Sequence, residues 1–358
     1  MVEWNFGPGN SQFPIRLATV LLTCLVGVST AAAPAASALA FSRDTPVETL
    51  CARVESALVA RDFDSLESAE RAMRDPNLRL AGGNSQLYHY YGALADFSGR
   101  GLFSCTSQLS FDQKRQFLEQ WAAAMPRSVA AHIALSQLWT NAGWDARGDN
   151  YRDQVTDEQW NTLATDLAAA KSALAGIEGR ADPHLYYVAT EIARGQPDPR
   201  PVLDKIYAAA VKAFPSYFHY YSQRVSMLQE RWYGEPGELR TYSATLLQSP
   251  GGDAGLVAYS YVAYGLMQSN ERSTLLQTTG LSWPIVKSSY ARREKLYGLR
   301  NRDWNALLNL SLAAVDPSAA KDALGKIAGQ WDPVIWKERQ YFDYAVSWTV
   351  ENSGRPAP

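Results

Sequence analysis

The sequence predicts an all-α protein built from antiparallel helix pairs. After residue 41, apolar residues recur at the three- and four-residue spacing of helices, and the alternation that is typical of β-strands is nearly absent. Proline, glycine, serine, threonine or aspartate stands between these periodic segments, where helices begin and end. The segments are short and closely spaced, so successive helices are expected to pack against each other as antiparallel neighbours.

Boundary residues mark the helices of the N-terminal part. Thr45 before Pro46 is a favourable helix start, because proline at the first helical position loses no hydrogen bond. Asp75-Pro76 ends the second helix, Ser98-Gly99 the third and Pro126 the fourth. These signals predict helices that begin near Thr45, Asp64, Asn84, Phe111 and Val129.

A polar segment interrupts the helices near the middle of the chain. Residues 143–155 have no apolar period, so we expect a long loop there, after a helix that ends near Trp139. Thr156, followed by two acidic residues, then caps a long helix that runs to about Ile177. The later helices are predicted over 183–193, 201–214, 217–228, 239–247, 256–267, 283–297, 304–315, 317–328 and 333–350.

About fourteen helices of ordinary length joined by short loops favour one continuous stack over residues 41–351. Ala124-Met125-Pro126 and Ala213-Phe214-Pro215 each precede an apolar helix, which is a weak internal repeat. We therefore expect a degenerate tetratricopeptide-like α-solenoid, with a closed α/α toroid as the alternative. Residues 352–358 are expected to be a disordered tail.

The N-terminal 40 residues have the features of an export signal. Residues 17–40 carry no charge and follow Arg16, and Ala38-Leu39-Ala40 is a small-residue cleavage site. We expect cleavage after Ala40, which makes the protein exported, periplasmic or secreted, in a bacterium. No stable membrane span then remains. The alternatives are an uncleaved N-terminal anchor and a lipid-modified Cys24.

Cleavage leaves two cysteines, Cys51 and Cys105. In an oxidising compartment two cysteines are expected to form one disulfide. It would close a loop of roughly 50 residues and stabilise the fold by about 3–4 kcal/mol on the chain-entropy model. The alternative is two separate buried thiols, which pack as small hydrophobic groups.

Composition and missing motifs narrow the function classes. The 34 basic and 36 acidic residues nearly cancel, which does not favour a nucleic-acid partner. The four histidines show no metal-ligand spacing, and no nucleotide-binding glycine motif or nucleophile elbow is present. We therefore predict no metal and no cofactor.

Two segments resemble a known family. The first is Trp144-Asp145-Ala146-Arg147-Gly148, which continues through Val155-Thr156 into the helix that carries Trp160. The second is Phe214-Pro215-Ser216-Tyr217 with Arg231-Trp232-Tyr233-Gly234. Together they are similar to the bacterial domain of unknown function 4034 family (DUF4034), over roughly residues 130–270. Glu230 stands where the family pattern has proline. The resemblance implies a helical, tetratricopeptide-like domain and no particular activity.

The segment 144–158 holds the densest group of polar residues. Asp145 and Asp153 are weak candidates for acid/base catalysis, and Trp144 and Arg147 for ligand binding. A structural interpretation competes with these roles. In it, Arg147 bonds backbone carbonyls, Gly148 takes a positive φ and the tryptophan fills the core.

The second candidate segment is the turn at 231–237. Trp232 and Tyr233 at its mouth are candidates to stack on a sugar ring or a peptide side chain, and Glu235 is a weak catalytic candidate. Tyr217 and Tyr221 on the preceding helix are candidates to line an aromatic groove. The structural interpretation is that these rings pack between helices.

These features support a binding or scaffolding module for a protein or peptide segment in the cell envelope. Helical repeats provide concave binding surfaces, and no catalytic motif is present. The alternative is an α/α-toroid glycoside hydrolase or polysaccharide lyase. That activity requires acids such as Asp145, Asp153 and Glu235 to face each other across a sugar-binding cleft.

Overall fold

The computed structural model describes residues 39, 41–97, 105–150, 152–177, 179–230 and 232–354. Within these residues the regular secondary structure is helical, and β-type hydrogen bonding is limited to an isolated bridge between Arg79 and Ser85. The predicted all-α fold is confirmed. The predicted export signal and Cys24 lie outside the described residues, apart from Leu39. Of the predicted tail, only 352–354 are described, and they form a turn.

The helices follow one another with short connections, as the sequence predicts. In chain order they are α1 (Val47–Val59), α2 (Phe63–Met73), α3 (Gln86–Ala95), α4 (Phe111–Ala124), α5 (Val129–Arg147), α6 (Asp157–Ala173), α7 (Pro183–Arg194), α8 (Arg200–Ala213), α9 (His219–Met227), α10 (Glu238–Thr245), α11 (Gly252–Ser269), α12 (Leu275–Thr279), α13 (Trp283–Tyr297), α14 (Asn301–Ala313), α15 (Pro317–Ile327), α16 (Pro333–Trp336) and α17 (Arg339–Glu351).

Helix α5 is two turns longer than the sequence predicts. The expected stop at Gly143 is wrong because this glycine serves helix packing: a Cβ there would lie 3.1 Å from the Cβ of Asp166 on α6. The helix ends instead at Gly148, which has the predicted positive φ, at 71°. Consequently Trp144 and Arg147 lie on the last turns of a helix and not in a loop.

The predicted helix over 333–350 is divided in two. Trp336 is buried at the end of α16, and its indole Nε1 donates to Asn305 on α14 at 2.7 Å. The chain then turns at Lys337, which has a φ of 60°, before α17 begins. The helix therefore ends at Trp336, where the indole is fixed against α14, and does not continue into α17.

Helices α5 and α6 form an antiparallel pair. At one end His132 Nδ1 of α5 lies 2.7 Å from the carbonyl oxygen of Ala173, and at the other the Gln159 side chain donates to the carbonyls of Ala146 and Arg147. The N-cap predicted at Thr156 is confirmed, because its hydroxyl accepts from the Gln159 amide at 3.2 Å. Stacking of such pairs into a solenoid or a toroid stays a prediction.

The apolar side chains form two hydrophobic cores, one from each half of the chain. Helix α9 contributes to both, because neighbouring tyrosines point to opposite sides: Tyr220 packs in the first core and Tyr221 in the second. Further along the helix, Met227 packs in the first core and Val225 in the second. Helix α9 is therefore set in place by both halves at once.

A loop over residues 79–85 also connects the halves. Arg79 donates to the carbonyl of Ser216 and lies 4.8 Å from the ring centre of Phe218. The carbonyl of Gly82 accepts from Arg293 Nε at 2.6 Å, and Arg293 is paired with Asp303 at 2.7 Å. Both members of this pair are 2% exposed, so the contact is sealed from water.

The Cys51–Cys105 disulfide is present, as predicted, with the Cα atoms 5.6 Å apart. It joins α1 to the segment before α4 across a sequence separation of 54. Closing a loop of this length stabilises the fold by about 4 kcal/mol on the chain-entropy model. Among the described residues, no helix has the length and apolar character needed to cross a bilayer.

Replacing Gly82 with alanine is expected to destabilise the fold strongly. Its φ is 80°, and an added Cβ would lie 2.6 Å from Asp303 Oδ2, so the buried ion pair must move. We expect the free energy of unfolding to fall by about 3 kcal/mol or more. Gly329→Ala is the matched control, because φ is 78° there and nothing lies within 4 Å of the added atom. It should lose only about 1 kcal/mol. Equal losses in urea denaturation would contradict this assignment.

Candidate functional site

A cleft of about 610 Å³ lies where α3, α5, α7 and α9 meet. This volume is within the usual range of ligand sites, about 300–1,000 Å³. Its walls carry aromatic rings, amides and charges of both signs. The side chains used below are Tyr88 of α3; Gln137, Asn141, Trp144, Asp145 and Arg147 of α5; Tyr187, Glu191 and Arg194 of α7; His219, Ser222, Gln223 and Ser226 of α9; and Trp232.

Helical spacing explains how α5 and α7 present their side chains to the cleft. On α7, Tyr187, Glu191 and Arg194 are four and three residues apart, which places them on one face. Gln137, Asn141 and Trp144 repeat that spacing on α5. Each of these two helices therefore contributes one polar or aromatic stripe to the cleft.

Tryptophan and arginine alternate along one wall. The Arg194 guanidinium carbon lies 4.7 Å from the ring centre of Trp144 and 5.8 Å from that of Trp232. Arg147 lies 5.9 Å from Trp232 and 5.4 Å from Trp160. Cation–π contacts of this kind contribute about 0.5–1 kcal/mol each where they are exposed. We call these five residues the Trp–Arg wall, of which all but Trp160 line the cleft.

Hydrogen bonds fix the position of the wall. The indole of Trp144 donates to the backbone carbonyl of Glu191 at 3.1 Å. The Glu191 carboxylate accepts from Arg194 Nη1 at 2.5 Å and from the Gln223 amide at 2.7 Å. The Tyr233 hydroxyl donates to the carbonyl of Arg194 at 2.9 Å. Helices α5, α7 and α9 are thereby connected through the side chains of the cleft.

A buried network supports the cleft behind the amides of α5. Burial holds the pKa of His184 well below its usual value, so the ring is neutral. Gln137 Oε1, 3.2 Å from His184 Nε2, can only accept, so Nε2 carries the proton. His184 Nδ1 then accepts from the Tyr217 hydroxyl at 2.6 Å, and the Gln137 amide donates to Asn141 at 2.6 Å. The amides are therefore oriented without a ligand.

His219 lies against Tyr88 in the same cleft. Their rings are stacked, with centres 3.5 Å apart and planes within 5°. Burial, and then the neighbouring His89 and His184, hold the pKa of His219 well below its usual value. Its Nε2 is buried and makes no hydrogen bond with the described residues. The cleft thus contains a neutral imidazole with an unused nitrogen.

The structure brings together part of the predicted binding set. Trp144, Arg147 and Trp232 line the cleft, although nearly 90 residues separate the first from the last. The structural interpretation of Arg147 also holds, because its Nη1 donates to the carbonyls of Gly148 and Asn150. Tyr233 is half-buried and braces Arg194 from behind. The two segments predicted separately, 144–147 and 232–233, therefore lie together at the same cleft.

Tyr217 and Tyr221 do not line a groove, and the prediction for them requires correction. They are 4% and 0% exposed and pack in the two cores. Their hydroxyls are used inside the protein, since Tyr217 contacts His184 and Tyr221 donates to the carbonyl of Pro215 at 2.8 Å. A tyrosine can be buried at little cost when its hydroxyl is bonded in this way.

The three predicted acids do not converge. Asp145 is half-buried and lines the cleft, but Asp153 and Glu235 are exposed residues outside its lining. The carboxylate that the structure places deep in the wall is Glu191, which sequence reasoning missed together with Arg194, Gln223 and His219. The available signal was the polar 187–191–194 face on an otherwise apolar helix. The described residues contain no group of three His, Cys, Asp or Glu side chains that could hold a metal.

A buried acidic pair fixes the start of α7, the helix that carries Glu191 and Arg194. Asp182 accepts from the backbone amides of His184 and Leu185 at 2.7 and 3.2 Å. It also pairs with Arg74 at 3.1 Å, and Arg74 in turn contacts Glu70. Burial, reinforced by the charge of Asp182, raises the pKa of Glu70 to about 8, and burial also raises that of Asp182. At neutral pH the pair therefore retains a proton.

Fold and cleft together define an all-α protein with a pre-formed polar and aromatic cleft. The model of the family described as Domain of unknown function (DUF4034) matches residues 58–187. This part of the chain is therefore similar to that family, and the resemblance stated from the sequence is confirmed. Comparison with curated proteins and with solved structures found no match.

The matched segment begins and ends earlier than the predicted 130–270. It runs from the end of α1 to the middle of α7, and it contains the Trp144–Trp160 region but not Trp232. The wall of the cleft is thus shared between the family segment and the part of the chain that follows it.

Stability is expected to fall as the pH rises from about 4.5 to 8. The folded state keeps a proton on Glu70 up to about pH 8, whereas the unfolded chain releases it near 4.5. The loss approaches about 1.4 kcal/mol per pH unit for one proton. Glu70→Gln should flatten this dependence in urea denaturation, and Glu119→Gln, an exposed site on α4, should not. A flat wild-type profile over this range would contradict the assignment.

Proposed function

We propose that this protein is an exported, periplasmic binding module that holds a short segment of a protein partner of the cell envelope in the cleft. The observation that carries the proposal is the Trp–Arg wall, which is already braced by hydrogen bonds without a ligand. Binding sites with fixed side chains lose less entropy when a ligand arrives, so the same contacts give higher affinity. The stack of helix pairs expected from the sequence suits this role.

The chemistry of the cleft favours a peptide segment as the ligand. A peptide backbone offers a donor and an acceptor at every residue, which matches the hydroxyls of Ser222 and Ser226 on the wall of the cleft. Tryptophan and arginine are enriched at protein interfaces because they give large contact areas and directional hydrogen bonds. Charges of both signs on the walls suit a ligand that is itself a polypeptide.

Binding is favoured over the alternative glycosidase or lyase activity by the arrangement of the acids. Glycoside cleavage needs two carboxyl groups about 5–10 Å apart across the cleft. Asp153 and Glu235 lie outside the lining, which leaves Asp145 as the member of the predicted set in the cleft. Glu191 is already paired with Arg194 and hydrogen-bonded by Gln223. Such a carboxylate is suited to hold an arginine in place.

Export is supported by the uncharged segment 17–40 and by the disulfide. Disulfides form and persist in oxidising compartments such as the bacterial periplasm, and they are rare in the cytosol. The Cys51–Cys105 bond joins two elements of the first core, so folding after export would be locked by oxidation.

A photoreactive amino acid at Ser226 should capture the partner. Ser226 lines the cleft, whereas Ser288 is an exposed residue of α13 outside the lining and is the matched control site. We expect irradiation of cells to give a discrete crosslinked species with the probe at 226 but not at 288. Adding Trp232→Ala should weaken it at least fivefold, because the wall loses the ring between its two arginines. The same crosslinks from both sites, or none from 226, would contradict a binding role for the cleft.

N-terminal sequencing of the mature protein tests export. We expect a chain that begins at Phe41, recovered from the periplasmic fraction, because signal peptidase cleaves after an A-x-A site. Replacing Ala38 with a bulky residue should cause the precursor to accumulate, and Ala35→Leu is the control outside the cleavage site. A mature protein that begins at Met1 would contradict the prediction.

A further inference from the structure

We propose that the cleft recognises a carboxylate of its ligand through Arg194. The inference rests on the proposed function and deepens it, since it names the chemical group that the site recognises. The group would bind to the side-on edge of the guanidinium, which consists of the Nε and Nη2 N–H groups. The carboxylate belongs either to an Asp or Glu side chain or to the C-terminus of the ligand.

Arg194 is held in position before any ligand binds. Its guanidinium lies over the rings of Trp144 and Trp232, and its Nη1 donates to Glu191. Glu191 is fixed in turn by Gln223, so the arginine has little freedom to rotate. Most of the rotamer entropy that an arginine side chain ordinarily loses on binding has therefore been lost already.

The side-on edge of Arg194 is available. Its Nε and Nη2 make no hydrogen bond with any described residue, and neither is a buried atom without a partner. These two N–H groups therefore reach the solvent of the cleft. Arg147 differs, because its Nη1 serves two backbone carbonyls and its Nε is sealed from solvent. Arg194 is consequently the arginine of the wall that can accept a ligand.

The geometry of the free edge matches a carboxylate. The Nε and Nη2 N–H bonds are parallel and separated like the two oxygens of a carboxylate, which gives two charge-assisted hydrogen bonds at once. The protein uses this arrangement elsewhere, where Arg292 Nε donates to Asp253 Oδ1 at 2.6 Å and Nη2 donates to the other oxygen. A ligand with a neutral amide in place of the carboxylate would offer one acceptor oxygen and no negative charge.

Electrostatics permit a second carboxylate beside Glu191. Burial disfavours the charged guanidinium, but Glu191, Tyr233 and Tyr187 together outweigh it and raise the pKa of Arg194, so the positive charge persists. Arg147 lies 5.9 Å from the ring centre of Trp232, which Arg194 also contacts, and supplies further positive charge. Because Gln223 donates to Glu191 as well, the first carboxylate does not depend on Arg194 alone for hydrogen bonds.

A peptide array tests the inference directly. Random hexapeptides are printed in three versions: with a free C-terminal acid, as the C-terminal amide, and as the amide with Asp and Glu replaced by Asn and Gln. We expect the full mature protein to bind its best peptides at least tenfold more tightly when the carboxylate is present. A difference between the first two versions assigns the C-terminus, and one between the last two assigns a side chain.

Substitutions show whether Arg194 causes the discrimination. Arg194→Gln should remove the difference between acid and neutral versions and leave residual binding, whereas Arg194→Lys should retain only part of it, because lysine cannot make the paired contact. Arg292→Gln, which removes the same type of contact outside the cleft, should change nothing. Thermal unfolding of each variant shows that the fold is intact, and the lysine variant remains decisive if the glutamine variant is unstable.

The outcomes separate the inference from the function on which it rests. Equal wild-type affinity for all three versions, or discrimination that survives Arg194→Gln, would overturn carboxylate recognition and leave the binding role intact. Peptide binding that is unaffected by Trp232→Ala, or no binding at all, would overturn the binding role of the cleft and this inference with it.

Discussion

The buried ion pair between Arg293 and Asp303 fixes the two halves of the protein relative to each other. Arg293 bonds the carbonyl of Gly82 in the N-terminal half while it is paired with a carboxylate from the C-terminal half. The charges of Arg293 and Arg300 keep the pKa of Asp303 below its usual value despite complete burial. Breaking such a pair leaves an unpaired charge in the interior, which costs about 3–5 kcal/mol. The loop at 79–85 is therefore a fixed connection between the halves.

The cleft depends on this connection through α9. This helix is packed by Tyr220 against the first core and by Tyr221 against the second, and it carries the cleft residues His219 and Gln223. Arg79 ties the loop at 79–85 to the chain just before α9, at the carbonyl of Ser216. If the halves shifted, α9 would move relative to α5 and α7, and the bond from Gln223 to Glu191 would be lost. The geometry of the cleft therefore depends on the packing between the two cores.

Local sequence signals predicted the elements well, and non-local contacts account for what they missed. The cap at Thr156, the start of α7 at Pro183 and the Cys51–Cys105 bond follow from neighbouring residues or from the number of cysteines. The continuation of α5 past Gly143 could not be predicted in this way, because the glycine is needed for the close approach of α6 and not for a helix end. Trp144 and Trp232 were recognisable as candidates, but Arg194 joins them only in three dimensions. Glu191 likewise has the sequence character of an ordinary surface acid.

The disulfide crosses the boundary of the segment that matches the family. Cys105 lies inside the segment 58–187 that matches the family, whereas Cys51 lies before it, and Arg194 and Trp232 lie after it. A fragment cut at the family boundaries would contain a thiol without its partner and one side of a cleft without the other. The matched segment is therefore not a self-contained part of this structure. The parts of the chain outside the match supply the second cysteine of the disulfide and the other side of the cleft.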